Sequence, residues 1–428
     1  MAAKLQVALD FLEWSRAIRA AREAVAGGAE ILEVGTPLLK SEGLDTIRKL
    51  RAEFPKVTLV ADTKVMDAGR MEMEAAAKAG ADIATVMGAA SATTIRECVE
   101  TARNYGIRVC VDLLGVENHV ARATEAQEWG ADLVSVHCPI DDQMAGLDPF
   151  EKLREVRSAV SLQVAVAGGI NSITASKAVE SGADIVIVGG AITKSEDAAE
   201  ATRTILRAVV EEVSIASGLF RRVHADEIRS ALDQVSTPNL SDAMHRSGEL
   251  AGLLPVLPGL KMVGPAVTVR TYPGDWAKPV EAIEHASPGD VIVIDAGGAP
   301  PAVWGELASE SCMQMEVSGV VVDGAVRDVD TIRNLRFPCF TRHVTPTAWE
   351  PKGFGEIGVP IKVGGRLVNP GDWIVGDDSG VVVVPKSRAA EIANRAMDVL
   401  ERENRLREEI RRKSTLSEVA ELLRWEKK

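Results

Sequence analysis

Over residues 4–210, short runs rich in β-branched side chains alternate with longer stretches whose apolar residues recur at helical spacing. That alternation predicts βα units around a parallel sheet. Eight runs read as strands, at 5–10, 31–35, 57–62, 83–88, 107–115, 133–137, 162–169 and 185–190. Each is nearly continuously apolar, as a strand covered on both faces should be. A repeat supports the count. Gly-Ala-Glu or Gly-Ala-Asp occurs at 28–30, 80–82, 130–132 and 182–184, each time just before an even-numbered strand. The glycine suits a helix C-terminus that needs a left-handed residue, and the acid opens the short loop that follows. Four double βα units predict an α/β fold, an eight-stranded (β/α)8 TIM barrel over residues 1–212.

The pattern then changes. Residues 213–231 read as a helical linker, and "STPNLSDAM" at 236–244 as a helix start. Over 232–390, strands arrive with Pro-Gly-Asp turns ("SPGDVIVIDAGG", "NPGDWIVGDDSGVVVVP"), which predicts a mixed α/β domain. Residues 391–428 read as a charged amphipathic helix, suited to subunit packing or to standing in solvent.

Composition narrows the function classes. The chain has 428 residues, 46% of them apolar, and a formal net charge of −13. Such a charge disfavours nucleic acid and anionic membranes as partners. No apolar run approaches the ~20 residues that span a bilayer, and the N-terminus lacks a secretory pattern, so a soluble cytoplasmic protein is expected. Five cysteines, at 98, 110, 138, 312 and 339, form no C-x-x-C pair. Neither a disulfide framework nor a zinc site is expected from them.

In a barrel of this kind the C-terminal strand ends face the catalytic mouth. Those ends carry Asp10, Glu33, Asp62 with Lys64 and Asp67, Asp112 and His137, followed by the pairs Gly168-Gly169 and Gly189-Gly190. One strand-end acid is ordinarily a helix cap; ionisable groups ending five separate strands predict a site. Glu33 and Asp62 are the expected ligands of Mg²⁺ or Mn²⁺. Lys64, flanked by Asp62 and Asp67, should stay protonated and stabilise a developing enolate. His137 is the expected proton carrier. The glycine pairs stand where barrels bind phosphate through backbone N–H groups.

Asp10, Glu33, "DTKVMDAG", His137, "VAGGI" and "VGGAIT" together resemble the orotidine-5′-phosphate decarboxylase superfamily, and within it the 3-hexulose-6-phosphate synthase branch. The resemblance implies Mg-dependent, reversible aldol condensation of formaldehyde with D-ribulose 5-phosphate, an aldehyde-lyase activity of the ribulose monophosphate pathway. It also implies catalytic roles for Asp10 and Asp112. The alternative branch, 3-keto-L-gulonate-6-phosphate decarboxylase, tends to carry Glu, Arg, Thr and Arg where this chain has Asp112, Ile140, Ala167 and Gly190. Asp67 is expected to orient Lys64, across a dimer interface if the neighbouring subunit supplies it.

In the second domain, "WGELAS" (304–309) and "VVDGAVRD" (321–328) hold the candidate chemistry. The helix start at Glu306-Leu307 offers N–H groups to an anion, Arg327 can clamp the same anion, and Asp328 with Glu306 can hold a divalent metal. The plain alternative is a helix start beside a surface Arg-Asp pair. Residues 232–390 resemble the family shared by ribonuclease activity regulator A (RraA) and 4-hydroxy-4-methyl-2-oxoglutarate aldolase, with Glu306 where the aldolases usually have Asp. The expected role is a metal-dependent lyase of 2-oxo acids, or a non-catalytic regulatory or assembly module. The synthases resemble dimers and the RraA-like proteins trimers, so a homo-oligomer is expected.

Overall fold

A computed structural model describes residues 3–216, 222–223 and 227–419. They divide into two compact units: residues 1–222 with 401–428, and residues 223–400.

The first unit is a closed, all-parallel barrel. Its strands are β1 (Lys4–Leu9), β2 (Ile31–Val34), β3 (Thr58–Val65), β4 (Ile83–Met87), β5 (Arg108–Asp112), β6 (Leu133–His137), β7 (Gln163–Ala167) and β8 (Ile185–Val188). They pair in sequence order, and β8 closes on β1. The repeated Gly-Ala-acid has a double role. Gly28, Gly80, Gly130 and Gly182 lie at φ 101, 99, 85 and 99°, in the left-handed region that ends each preceding helix. The acids of the last three copies reach back one strand. Asp82, Asp132 and Asp184 accept hydrogen bonds from the N–H groups of Leu59, Val109 and Val164, at 2.7, 2.8 and 2.8 Å. They thereby satisfy the backbone donor of the second residue in β3, β5 and β7, at the base of the barrel.

Strand periodicity then stacks the interior in layers. Ile31, Val60, Ile83, Cys110, Leu133, Ala165 and Ile185 form an apolar plug. Two residues further along their strands stand Glu33, Asp62, Thr85, Asp112, Ser135, Ala167 and Ile187, which line the space above it. The plug is a dry floor, and the polar layer lies on it.

The second unit is built on a mixed sheet. Its strands are β9 (Leu254–Pro255), β10 (Met262–Arg270), β11 (Val291–Asp295), β12 (Ala302–Trp304), β13 (Gly319–Val326), β14 (Cys339–Val344), β15 (Glu356–Ile357), β16 (Ile361–Val363), β17 (Arg366–Val368), β18 (Trp373–Asp377) and β19 (Gly380–Val384). The main sheet runs β19-β18-β10-β11-β13-β14-β9, with β12 on β13 and β15 on β10. Strands β10, β11, β13 and β14 are parallel, whereas the β16–β17 and β18–β19 pairs are the expected antiparallel turns. The helix start at 236 is present: Ser236 caps the helix Thr237–Ala243 in a reciprocal box with Asn239.

Two segments differ from expectation. The first helix-linker stretch is not continuous. Residues 213–216 are non-helical after a left-handed Glu212 (φ 55°), as are 222–223, and Ile228–Gln234 is helical. The rest of that linker, 217–221 and 224–226, lies outside the described residues. Nor does 391–428 stand apart as a solvated helix. The helix Ala389–Arg411 ends before a left-handed Lys413, a short turn of helix follows at Leu416–Val419, and residues from Glu401 onward belong to the barrel unit. Within that unit Arg405 and Glu409 are 4% and 3% exposed. The final residues, 420–428, are outside the described set.

All five cysteines are buried and unbonded. Burial pushes the Cys98, Cys312 and Cys339 thiols up to about 12 and Cys138 to about 11, and raises Cys110 well above the ordinary value.

Candidate active site

The charged stretch after residue 61 does not lie beyond a strand end, because β3 continues through it to Val65. Pairing of β3 with β4 shifts between Ala61 and Val65, and Lys64 adopts φ 46°. The bulge re-aims the strand and is held by one threonine. Thr85 Oγ1 donates to Asp62 Oδ1 at 2.9 Å and accepts from Lys64 N at 3.0 Å. On the other side, Thr36 Oγ1 lies 2.7 Å from both Asp62 Oδ2 and Asp62 O.

Lys64 Nζ is 2.8 Å from Asp112 Oδ2 and 3.3 Å from Asp62 Oδ2. The same Asp112 oxygen lies 3.4 Å from His137 Nδ1, and Asp112 Oδ1 accepts from Leu114 N at 3.0 Å. Strands β3, β5 and β6 thus meet on one buried carboxylate. Nδ1 is thus the ring nitrogen that faces Asp112, and Nε2 is the one turned away from it.

Electrostatics follow from this crowding. Burial would lower the Lys64 ammonium, but the charges of Asp112 and Asp62 override it and raise the group above its ordinary range. Burial would raise Asp112, yet the hydrogen bond and charge of His137, with Lys64 behind them, hold its carboxyl at about 2. Glu33 behaves oppositely. Burial, then the charges of Asp62 and Asp10, raise it well above the carboxylate range, only partly offset by the hydrogen bond from Gln6 Nε2. Asp10 opens onto the cavity but is deep in protein, and that enclosure, followed by the Asp62 charge, raises it too. Asp10, Glu33 and Asp62 are three mutually repelling acids, and the nearest ammonium, Lys64, is shared between Asp62 and Asp112.

Hard oxygen donors in such excess fit a divalent cation. Mg²⁺ takes one or two carboxylates and leaves its remaining positions to water and substrate. Among the described residues no group of three or more His, Cys, Asp or Glu is placed to hold a metal ion. An ion of that kind does not require a group of that size.

Asp10, Glu33, Asp62, Lys64 and His137 line one cavity of about 940 Å³. The glycines complete it. Gly168, Gly169, Gly189 and Gly190 lie on its wall with Lys194. Gly168 is at φ 118°, and a Cβ there would fall 2.7 Å from Cys138. Asp67 is placed elsewhere. It is exposed, and its Oδ1 accepts from Ala68 N, so within this chain the partners of Lys64 are Asp62 and Asp112. Gln6, Thr36 and Thr85, which hold the acids, were not singled out from the sequence. For Gln6 and Thr85 the signal is a lone polar residue at an inward position of an apolar run, clearest for Thr85 within "IATVM"; Thr36 stands at the start of the helix Thr36–Glu42.

A second cavity, of about 440 Å³, lies in the second unit. Glu306, Leu307, Arg327 and Asp328 all line it, beside Trp276 and Trp304. Glu306 N approaches Asp328 Oδ2 at 3.5 Å, and Arg327 Nε lies 3.4 Å from the same oxygen. Gly305 permits that approach, since a Cβ there would come within 2.6 Å of Asp328 Oδ2. The four residues therefore share one wall, rather than forming a helix start and a surface ion pair that are unrelated.

Comparison with known proteins matches each unit to a family. The family model described as orotidine 5′-phosphate decarboxylase / HUMPS matches residues 3–205, and the RraA-like model, described as Aldolase/RraA, matches residues 237–383. The 3-hexulose-6-phosphate synthase of Methylomonas aminofaciens is 40% identical over 201 residues, which cover 47% of this chain and 96% of that protein. The protein of the same name from Bacillus subtilis strain 168 is 36% identical over 209 residues, 49% of this chain and 99% of its own length. The solved 3-hexulose-6-phosphate synthase of Salmonella typhimurium is 37% identical, covers 49% of this chain and all of that one, and superposes with a TM-score of 0.48. These relatives match only the barrel half. Through that barrel the chain belongs to the orotidine 5′-phosphate decarboxylase / HUMPS family, and it carries an RraA-like domain after it.

Proposed function

We propose that the barrel is a lyase that joins formaldehyde to D-ribulose 5-phosphate, giving D-arabino-3-hexulose 6-phosphate, and that it also runs the reverse cleavage. One observation carries this reading: a single buried carboxylate, Asp112, engages Lys64 and His137 together at the mouth of the barrel. His137 Nε2 takes a proton from C1 of the pentose phosphate. The electron pair becomes an enediolate, and the Lys64 ammonium neutralises its developing charge. C1 then bonds to the formaldehyde carbon, and the new alkoxide recovers the proton from His137. Atoms and charge balance, and five carbons plus one give six.

A divalent cation on Glu33 and Asp62, when bound, supplies Lewis-acid polarisation of the substrate ketone and its neighbouring hydroxyl. Asp112 keeps His137 in the tautomer that frees Nε2. Because Asp112 and Asp62 hold Lys64 protonated, its nitrogen has no lone pair for a Schiff base, which favours the enediolate route over an imine route.

Ile140, Ala167 and Gly190 line the cavity without any charged group. That supports condensation over decarboxylation, since an enediolate awaiting an aldehyde is better kept from proton donors. The test is formaldehyde consumption dependent on ribulose 5-phosphate, abolished in Lys64→Ala and His137→Ala. Release of CO₂ from 3-keto-L-gulonate 6-phosphate in place of that activity would overturn the reading.

For the second unit we infer a site for a small carboxylate, a 2-oxo acid clamped by Arg327 and by the N–H groups at the start of the helix Glu306–Gln314. Glu306 and Asp328 are the residues that would hold a divalent metal there. Metal-dependent decarboxylation of oxaloacetate by the full chain, lost in Arg327→Ala, is expected. Its absence in a folded protein would favour a regulatory or assembly role.

A further inference from the structure

The family match ends at residue 205, yet the barrel unit also includes residues 401–428. That added segment reaches the mouth. Arg402 lines the 940 Å³ cavity together with Lys194 and the four glycines.

The helix bearing Arg402 is fixed where it matters. Arg405, three residues on, donates to Ser195 O at 3.0 Å, in the loop just past Lys194. It also meets Glu23 at 3.0 Å and Glu409 at 3.1 Å. Glu409 in turn accepts from Arg16 and Arg19, both on the helix Trp14–Ala26, at 3.3 and 3.4 Å. Arg412 closes on Glu23 at 2.9 Å. A buried ion network of this kind is a poor source of stability, because desolvation offsets the attraction, but it sets position well. Its partners are the first barrel helix and the loop after Gly189-Gly190, so what it positions is the register of the tail against the glycine wall.

The cavity is lined by both signs of charge: Asp10, Glu33 and Asp62 with Lys40, Lys64, Lys194 and Arg402. A Cβ on Gly189 would stand 3.5 Å from Asp10 Oδ2, so an acid borders the glycine pair. Arg402 is the one guanidinium among these lining residues, and the one cation among them from outside residues 3–205.

We propose that Arg402 is a ligand of the substrate's phosphate, supplied in cis by a segment that the matched synthases do not have. This rests on the pentose-phosphate reading above. A guanidinium binds a phosphate dianion through two parallel N–H donors, where an amide wall alone supplies dipoles. The tail is therefore part of the substrate site of the barrel.

The test uses the full chain and inorganic phosphate, with calorimetry as the readout. Arg402→Gln is expected to weaken phosphate binding by about tenfold or more, with Arg402→Lys falling between. Arg407→Gln is the control. It removes the same charge one turn away, from a side chain paired with Glu403 and Asn404 and not lining the cavity. Equal phosphate affinity in wild type and Arg402→Gln, equal losses in Arg402→Gln and Arg407→Gln, or no phosphate binding by wild type would each overturn the proposal. In turnover, the KM for ribulose 5-phosphate should rise by the same factor, with kcat and the KM for formaldehyde unchanged. If wild type shows no turnover while the difference in phosphate affinity persists, the substrate reading fails and the anion site stands.

Discussion

Asp112→Asn keeps the shape of the side chain and removes its charge. The native carboxyl is 3% exposed and is held at about 2 against an ordinary 3.8. That difference corresponds to roughly 2 kcal/mol of interaction favouring the charged form. A carboxyl depressed in the folded state stabilises above its unfolded value, and the contribution disappears as pH falls through the folded value. The window therefore runs from 3.8 down to about 2. Asparagine has no such dependence. Urea unfolding should show wild type more stable by about 2 kcal/mol at pH 7, with the gap shrinking to about 1 kcal/mol at pH 3. Activity should fall further than stability does. The amide cannot both accept from Lys64 and hold the Nδ1–H of His137 at one anionic oxygen, so kcat is expected to drop by about a hundredfold or more. A stability gap independent of pH, or a kcat within about threefold of wild type, would refute the assignment of Asp112 as the shared partner.

Thr85→Val should cost about 1–3 kcal/mol, since it leaves Asp62 Oδ1 and Lys64 N without their hydroxyl partner, whereas Thr85→Ser should recover most of it by urea unfolding. Chelation should abolish formaldehyde consumption, and Mg²⁺ or Mn²⁺ should restore it; full activity after exhaustive chelation would remove Glu33 and Asp62 as metal ligands. Arg327→Ala should weaken pyruvate binding by about tenfold while leaving barrel turnover as in wild type, both read on the full chain. A thiol reagent should titrate none of the five cysteines in the native protein at pH 7 and all five in urea, given their burial; rapid native labelling would contradict it.

The barrel was readable because its signals are local. A buried parallel strand needs a continuous apolar run, and the Gly-Ala-acid repeat needs only three adjacent residues. The main acids were readable for a related reason, since strand order brings successive strand ends to one rim. What the sequence hid was pairing. Asp67 is three residues from Lys64, but the bulge at Lys64 turns the ammonium across the barrel to Asp112, which comes from β5. Within this chain one sequence neighbour of Lys64, Asp62, is its partner and the other, Asp67, is not; the second partner comes from another strand. The threonines that hold Asp62 were equally hidden, because one hydroxyl in an apolar strand, as at Thr85, looks like ordinary packing, and one at a helix start, as at Thr36, looks like an ordinary helix terminus. The tail failed for a third reason: Arg405 and Glu409 have the same spacing whether an i,i+4 pair faces water or is buried against another helix. Burial is set by the partner surface, which periodicity does not record.

The state of the thiols has a further consequence if formaldehyde is the substrate. Formaldehyde is an electrophile that adds to thiolates and to neutral amines wherever it meets them. Cys138 stands behind Gly168, at the wall of the mouth, and its thiol is pushed up to about 11. Lys64, inside the mouth, is held as an ammonium. Those two side chains are thus kept in forms that do not add to an aldehyde. Burial at Cys138 and ion pairing at Lys64 would then protect these two positions of the mouth from the reagent that the proposed reaction consumes.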